Sequence, residues 1–457
     1  MDFSKIVFIV FSGIAFGGVP FFVKDTKKYF LALAAFLYIF SSGWIFYHFN
    51  GLMLADLPIV CLLVMGIFSS RRFRWMARPI GIPMFCFMIW GLISALSAVN
   101  PGWASMEATK YFRMYLLLIC LVHHVRTMDD VKVVLFSMLA GFLVECFIGI
   151  YQWRYGAMGI WFLGERGTAR IKWRTLGTFF VTSFYANYLA MVLPIALRLF
   201  LFYRPPKKTW MYFFSAAFLF GVVALFTTYG RAPWIGFIIS TAILLCISVF
   251  KSRFKSRVKT TIPILILFAT LFTIRYGGKI LEQFGGQRKG SYEVRFPQFR
   301  IAQRIIADNS IFGVGLSNYE LVTYDYMTAQ ERNHDLHRVY AMMVHNSYFL
   351  IAGEVGIVGF LLLLWWFISI FVTGAKIIFS KMYHSFLLNL ALGIIGGMMV
   401  ITIVFTFSPD IHSYQLLYQI TLFSGLLMAI KNIIRRAELK KARYDLEKNQ
   451  QNKKGIK

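Results

Sequence analysis

Three kinds of side chain sit where they could do chemistry. They are arginines placed against expectation, one histidine at the mouth of an apolar run, and one glutamate inside it. Arg231 stands between Phe226-Thr227-Thr228-Tyr229-Gly230 and Ala232-Pro233-Trp234, with almost no loop between two apolar segments. A charge pinned at membrane depth is expensive unless it has a purpose. Two readings are open: an anchor whose head reaches the interface, or an anion contact through the planar donor fork of a guanidinium. Further on, Arg295, Arg300 and Arg304 stand in a run that reads as an amphipathic helix from Gln298, with Pro297 in its first turn. Phe299, Ile301, Ala302, Ile305 and Ile306 are expected on its buried face. Arg300 and Arg304 then share a face, which a solvated surface would also explain, while Arg295 precedes the helix.

His345 opens the next apolar segment, at the aqueous boundary. Imidazole is the side chain best suited to moving protons near neutral pH, so a general base is one reading and a structural histidine the other. Glu354 lies deep in the same run, and its burial demands a partner or a raised pKa. Glu145 and Asn187 are expected to form hydrogen bonds between helices. His334 and His337 lack a convincing further ligand set for a metal. Cys61, Cys86, Cys120, Cys146 and Cys246 all fall in apolar runs, as packing residues would. There is no phosphate-cradling glycine loop, no zinc signature and no nucleophile elbow.

The elements that position these residues follow from composition. The 457 residues are 58% hydrophobic and 15% charged, with a mean hydropathy of +0.63. A soluble domain could not bury that much apolar surface. The sequence predicts an all-α polytopic membrane protein with about 12–14 transmembrane helices. Candidate spans lie near 5–23, 29–47, 53–70, 79–98, 108–124, 131–152, 177–202, 209–228, 232–250, 260–276, 345–373, 385–407 and 412–431. No cleavage site follows the first. Between Tyr276 and Val344 runs a polar stretch of roughly 70 residues, too long for a mere link, and its aromatics and Gly313-Val314-Gly315 argue for order. The expected organisation is a helical bundle over 1–276, a partly helical loop domain over 277–344, a second helical part over 345–432 and a basic tail over 433–457.

The net charge of +28 invites a nucleic-acid reading that its distribution excludes. Most Lys and Arg sit in short links, such as Arg71-Arg72-Phe73-Arg74, which fall on one side and mark it as cytoplasmic. Two segments on the other side break the rule. One is the long loop, and the other spans 153–175, with Arg154, Arg166, Arg170, Lys172 and Arg174. Binding a negatively charged ligand is the obvious reason, with anionic lipid headgroups a second.

Four segments together resemble the bacterial O-antigen ligase and O-antigen polymerase superfamily. They are Arg174-Thr175-Leu176-Gly177-Thr178-Phe179 with Asn187, then Gly230-Arg231-Ala232-Pro233-Trp234. The third is Arg295 leading to Ile311-Phe312-Gly313-Val314-Gly315-Leu316-Ser317-Asn318-Tyr319. The fourth is His345-Asn346-Ser347-Tyr348-Phe349-Leu350 with Glu354-Val355-Gly356-Ile357-Val358-Gly359. The resemblance covers about 170–410. It implies a C-type glycosyltransferase (a GT-C-like fold) that takes a glycan from a polyprenyl-diphosphate carrier at the periplasmic face of the bacterial inner membrane. The acceptor is lipid A–core for a ligase, or another lipid-linked glycan for a polymerase. It implies no nucleotide sugar, no cofactor and no metal. His345 and Arg231 take the catalytic roles. Arg174, Arg295, Arg300, Asn346 and Tyr348 would hold diphosphate and glycan, supported by Glu354, Gly313 and Gly315. Tyr229 departs from the Ser or Thr that many members carry there, and Arg295 and Arg300 both fit the loop arginine. The chemistry suits the residues independently. A diphosphate is already a good leaving group, so catalysis needs charge stabilisation and a base for the incoming hydroxyl. In-line displacement would invert the anomeric centre. The ligase reading is slightly favoured. A transporter would instead line a path through the bilayer with charge.

Overall fold

The computed structural model describes residues 23–42, 55–69, 73, 75–156, 174–179, 181–250, 294–380 and 384–454, with isolated positions between 259 and 278. The expected first span, most of the expected span 260–276, the first part of the long loop with Arg288, and Arg166, Arg170 and Lys172 lie outside the described residues.

In chain order the helices are α1 Thr26–Leu37, α2 Asp56–Ile67, α3 Gly81–Ser94, α4 Pro101–His124, α5 Met128–Tyr155, α6 Thr182–Phe202, α7 Lys208–Thr227 and α8 Arg231–Phe250. There follow α9 Arg295–Asp308, three short turns of helix (α10 Tyr319–Val322, α11 Ala329–Arg332, α12 His337–Tyr340), α13 Ser347–Ile378, α14 Ser385–Val404 and α15 Tyr414–Lys454. The described residues include no strand. Seven helices among them, α5 to α8 and α13 to α15, are long and apolar enough to cross a membrane. The chain is an all-α polytopic membrane protein.

Several expected boundaries shift for identifiable reasons. α4 begins at Pro101, ahead of the expected 108, because Asn100 accepts a hydrogen bond from Trp103 N (3.1 Å) and Pro101 suits the first helical position. Its charges are satisfied inside the bundle: Lys110 Nζ lies 2.6 Å from Glu107, and Arg113 Nη1 2.8 Å from Asp56. α6 begins at Thr182 rather than 177, since Gly177 at φ 58 cannot continue a helix. The basic tail continues the last span as one helix to Lys454.

α6, α14 and α15 form the centre, each with 83% of its most apolar stretch buried, against 28% for α8 at the periphery. Small residues let the central backbones approach. A Cβ at Gly397 would lie 2.2 Å from Met191 O, and one at Gly393 2.6 Å from Ile195 Cα.

α13, expected as one span, is broken at Gly356, whose φ of 71° and ψ of 179° are not helical. The break frees carbonyls that lipid could not satisfy, at a cost of several kcal/mol each. Donors from elsewhere reach them. Val314 N donates to Gly353 O (3.0 Å), Gly315 N to Glu354 O (2.8 Å) and Trp90 Nε1 to Val355 O (2.8 Å). In return Ile357 N donates to Ser310 O (2.8 Å). The loop segment around Gly313 and Gly315 is therefore docked by its backbone into a broken membrane helix. α9 packs beside it, burying Pro297, Gln298, Ile301, Ala302 and Ile305.

Candidate functional site

Arg231 is the first residue of α8, preceded by a turn in which Tyr229 adopts φ 52°. A helix N-terminus presents unsatisfied N–H groups and the positive end of the macrodipole, so Arg231 begins a helix at an end where an anion is already favoured. Arg174 braces the same turn. Its Nε donates to Thr228 O (2.9 Å) and its Nη2 to Tyr229 O (3.3 Å). Thr175 N donates to Thr227 O (3.3 Å), and the two threonine hydroxyls are 2.8 Å apart. The Arg174 guanidinium thus braces the turn that leads into Arg231.

The Arg174–Phe179 segment is held from below by α5. Glu145 accepts from Thr178 N (3.0 Å) and Thr178 Oγ1 (2.5 Å), and Gln152 accepts from Gly177 N (2.9 Å). A Cβ on Gly177 would sit 2.3 Å from the Glu145 carboxylate. Glu145 therefore braces a loop, not a neighbouring helix as the sequence reading expected. Asn187 does the same, donating to Asp410 Oδ2 (2.5 Å) in the turn before α15. Asp410 is buried. Burial raises its pKa to about 6, against the opposing hydrogen bonds of Ser408, Ser183 and Asn187.

His345 faces Gln298. Its Nδ1 lies 2.9 Å from Gln298 Oε1, while Gln298 Nε2 donates to Val339 O (2.9 Å). A carbonyl can only accept, so the amide nitrogen must face Val339 and the amide oxygen must face the ring. Nδ1 then carries the proton and Nε2 keeps the lone pair, which is the tautomer a base needs. Burial first, and the charge of Arg295 second, hold the histidine pKa below its ordinary value, against an opposing hydrogen bond with the Met343 backbone. Burial and Arg295 thus favour the neutral ring.

Arg295 is the first residue of α9, not a residue ahead of it. The two loop arginines that the sequence left equivalent are placed differently. Arg295 lies in the field of His345. Arg300 is mostly exposed, with its Nε 3.9 Å from Glu331. Arg304 is a clamp within the segment between α9 and α13, donating to Glu331 Oε2 (2.7 Å) and Tyr326 O (2.7 Å).

The residues after His345 fasten the start of α13 to the end of α14. Asn346 caps α13, accepting from Tyr348 N (2.9 Å) and Phe349 N (3.1 Å), and donates to Thr406 O (3.1 Å). Ser347 N donates to Phe405 O (2.8 Å), and Tyr348 Oη to Thr402 O (2.9 Å). The same final turns of α14 touch the start of α8, where Gly236 meets Val400 and Val404. The start of α8, which Arg231 opens, and the start of α13, which follows His345, therefore meet the same end of α14. Asn346 and Tyr348 are engaged as struts of that junction.

Glu354 is fully buried, and its partner is His412. His412 Nε2 lies 2.8 Å from Glu354 Oε2, and its Nδ1 lies 3.0 Å from Glu107 Oε1. Burial alone would lower the His412 pKa, but the two carboxylates raise it to about 10. Gly313 and Gly315 hold left-handed conformations against the broken helix. A Cβ at Gly313 would lie 2.3 Å from the Glu354 carbonyl, and one at Gly315 2.3 Å from Ala98. His334 and His337 stay in their own turn, where Leu336 N donates to His334 Nδ1 (3.1 Å). Among the described residues no three His, Cys, Asp or Glu side chains converge as a metal set.

Sequence reasoning missed Gln298, His412, Glu107 and Asp410. Gln298 was visible as a polar residue on the buried face of a predicted helix. The other three needed contacts across the fold.

The arrangement offers an imidazole held by Gln298 in the field of Arg295, on one face of a helical bundle. Comparison with known families gives a match to a family described as O-Antigen ligase over residues 216–364. That segment contains Arg231, Arg295, Gly313, Gly315, His345 and Glu354, while Arg174 and His412 lie outside it. No curated protein matches the chain. Residues 216–364, about a third of the chain, are therefore similar to the O-antigen ligase family and are the part that carries its pattern.

Proposed function

We propose an activity of the O-antigen ligase or polymerase type, with lipid-linked glycans as substrates, a reading supported by the family match over residues 216–364. We propose the finer reading that the chain transfers a glycan from a polyprenyl-diphosphate donor to a lipid A–core acceptor at the periplasmic face of the inner membrane, with inversion. The observation that carries it is the Gln298–His345 pair beside Arg295, fastened to the end of α14 that the first turns of α8, after Arg231, also meet.

Each part has a role in this proposal. Arg231, at the N-terminus of α8 and next to the turn that Arg174 holds, takes the diphosphate and stabilises the charge that develops on it as the glycosidic bond breaks. Arg295 adds positive charge beside the base. His345 Nε2 takes the proton of the acceptor hydroxyl as its oxygen attacks the anomeric carbon. Gln298 fixes the ring in the tautomer that makes this possible. The broken helix at Gly356, with Gly313 and Gly315 docked into it, sets the height of the loop domain over the membrane face.

A deletion strain complemented with this chain separates ligase from polymerase. Loss of ligase activity removes all glycan-capped lipopolysaccharide, and the intact chain restores it. Single-repeat caps in the deletion strain would assign the polymerase reading instead.

A further inference from the structure

The far end of the bundle carries a second basic feature that glycan transfer does not use. A cavity of about 850 Å³ opens there, lined by Phe73, Trp75, Met76, Arg78, Val122 and Met428, with Asn432 and Arg435 at its edge. Val122 is near the end of α4, and Met428 to Arg435 lie far along α15. From Tyr414, next to His412 on the glycan-site face, α15 runs 21 residues to Arg435, about 32 Å at 1.5 Å per helical residue, close to one bilayer thickness. The cavity is therefore at the opposite membrane boundary.

Its lining divides into two parts. The walls are aromatic and aliphatic. The polar contribution comes from two exposed guanidinium groups and one amide, and no acidic residue lines it. Neither Arg78 nor Arg435 makes an ion pair among the described residues. Lys431 stands within electrostatic reach of Arg435, and Lys376 within reach of Lys431, so both add to the positive field on this side. In sequence, Arg71, Arg72 and Arg74 lead into the segment that forms one wall. The volume is in the range of small-molecule sites, about 300–1,000 Å³. Uncompensated guanidinium groups over an apolar floor, at the level where a membrane helix turns basic, match one chemistry: a phosphate on an acylated glycerol.

We propose that this cavity binds the phosphate-bearing end of an anionic membrane phospholipid, with Arg78 and Arg435 on the phosphate and Phe73, Trp75 and Met428 against the glycerol and upper acyl chain. Occupancy would tie the 73–78 segment to α15.

The test uses the full chain, purified in detergent. Thermal midpoints are measured with phosphatidylglycerol, with phosphatidylcholine of the same acyl chains, and with inorganic phosphate. Retained lipid is counted by native mass spectrometry. Phosphatidylglycerol should raise the midpoint by several degrees more than phosphatidylcholine. The Arg78→Gln/Arg435→Gln variant should lose at least half of that difference and its retained lipid. A Lys440→Gln/Lys441→Gln variant, which removes the same charge away from the cavity, should keep both. Equal loss in the two variants would reduce the effect to general surface charge and overturn the site. Equal stabilisation by inorganic phosphate would overturn a lipid as the ligand, and an unchanged response in Arg78→Gln/Arg435→Gln would overturn the cavity.

Discussion

Gln298 Oε1 lies 2.9 Å from His345 Nδ1, and the other end of the same amide is committed to Val339 O. One side chain thus fixes which nitrogen of the histidine keeps its lone pair. Gln298→Met keeps the volume and removes the acceptor. It should lower kcat for glycan transfer by about 10-fold or more, within the span that a positioned base contributes, with donor KM little changed. An unaltered kcat in a folded Gln298→Met protein would separate the amide from the tautomer.

The pH profile gives a second expectation. Burial and Arg295 both favour neutral His345, so the ascending limb of kcat/KM should fall below the ordinary histidine pKa of about 6.5. Activity is present above that limb and lost as pH falls through it. Arg295→Gln removes the positive charge, so the histidine pKa rises and the limb moves to higher pH. The variant should then be more impaired at pH 6 than at pH 8. A parallel drop across the range, with the limb in place, would mean that Arg295 does not act on this ring.

Arg231→Lys keeps the charge and loses the planar fork. Transfer should fall about 10-fold or more, the scale of one charged hydrogen bond of roughly 1.5–3 kcal/mol. Near-normal transfer by a well-expressed Arg231→Lys protein would return this residue to the anchor reading.

Gly313→Ala should destabilise the protein through two separate effects. Its φ is 69°, and the added Cβ would meet the Glu354 carbonyl at 2.3 Å. A cost of about 3 kcal/mol or more is expected, in the range reserved for strained backbone and overpacking. Gly278→Ala, which meets nothing within 4 Å, is the control. The check is the thermal midpoint in detergent. Equal midpoints for the two variants would mean that the loop does not dock through its backbone.

Much of this was legible in the residues. Apolar run lengths announce a membrane bundle, and the amphipathic run from Gln298 announces α9, because both are local patterns. Glu354 announces its need for a partner by burial alone. The partner itself was not legible: His412 comes from a turn far along the chain and reads as an ordinary loop residue. The break at Gly356 was hidden for a similar reason. Its glycine is one of several in the run, and only the donors from Val314, Gly315 and Trp90 make a broken helix tolerable there. Arg295 and Arg300 could not be ranked by spacing, since the neighbours that distinguish them, His345 and Glu331, lie elsewhere in the fold.

The most direct test of the account is His345→Ala, measured for glycan transfer and for donor binding in the same preparation. The account predicts that transfer is abolished while the polyprenyl-diphosphate donor still binds, because arginines elsewhere on the face hold the diphosphate. Transfer at the wild-type rate by His345→Ala would contradict the base assignment and with it the proposed mechanism.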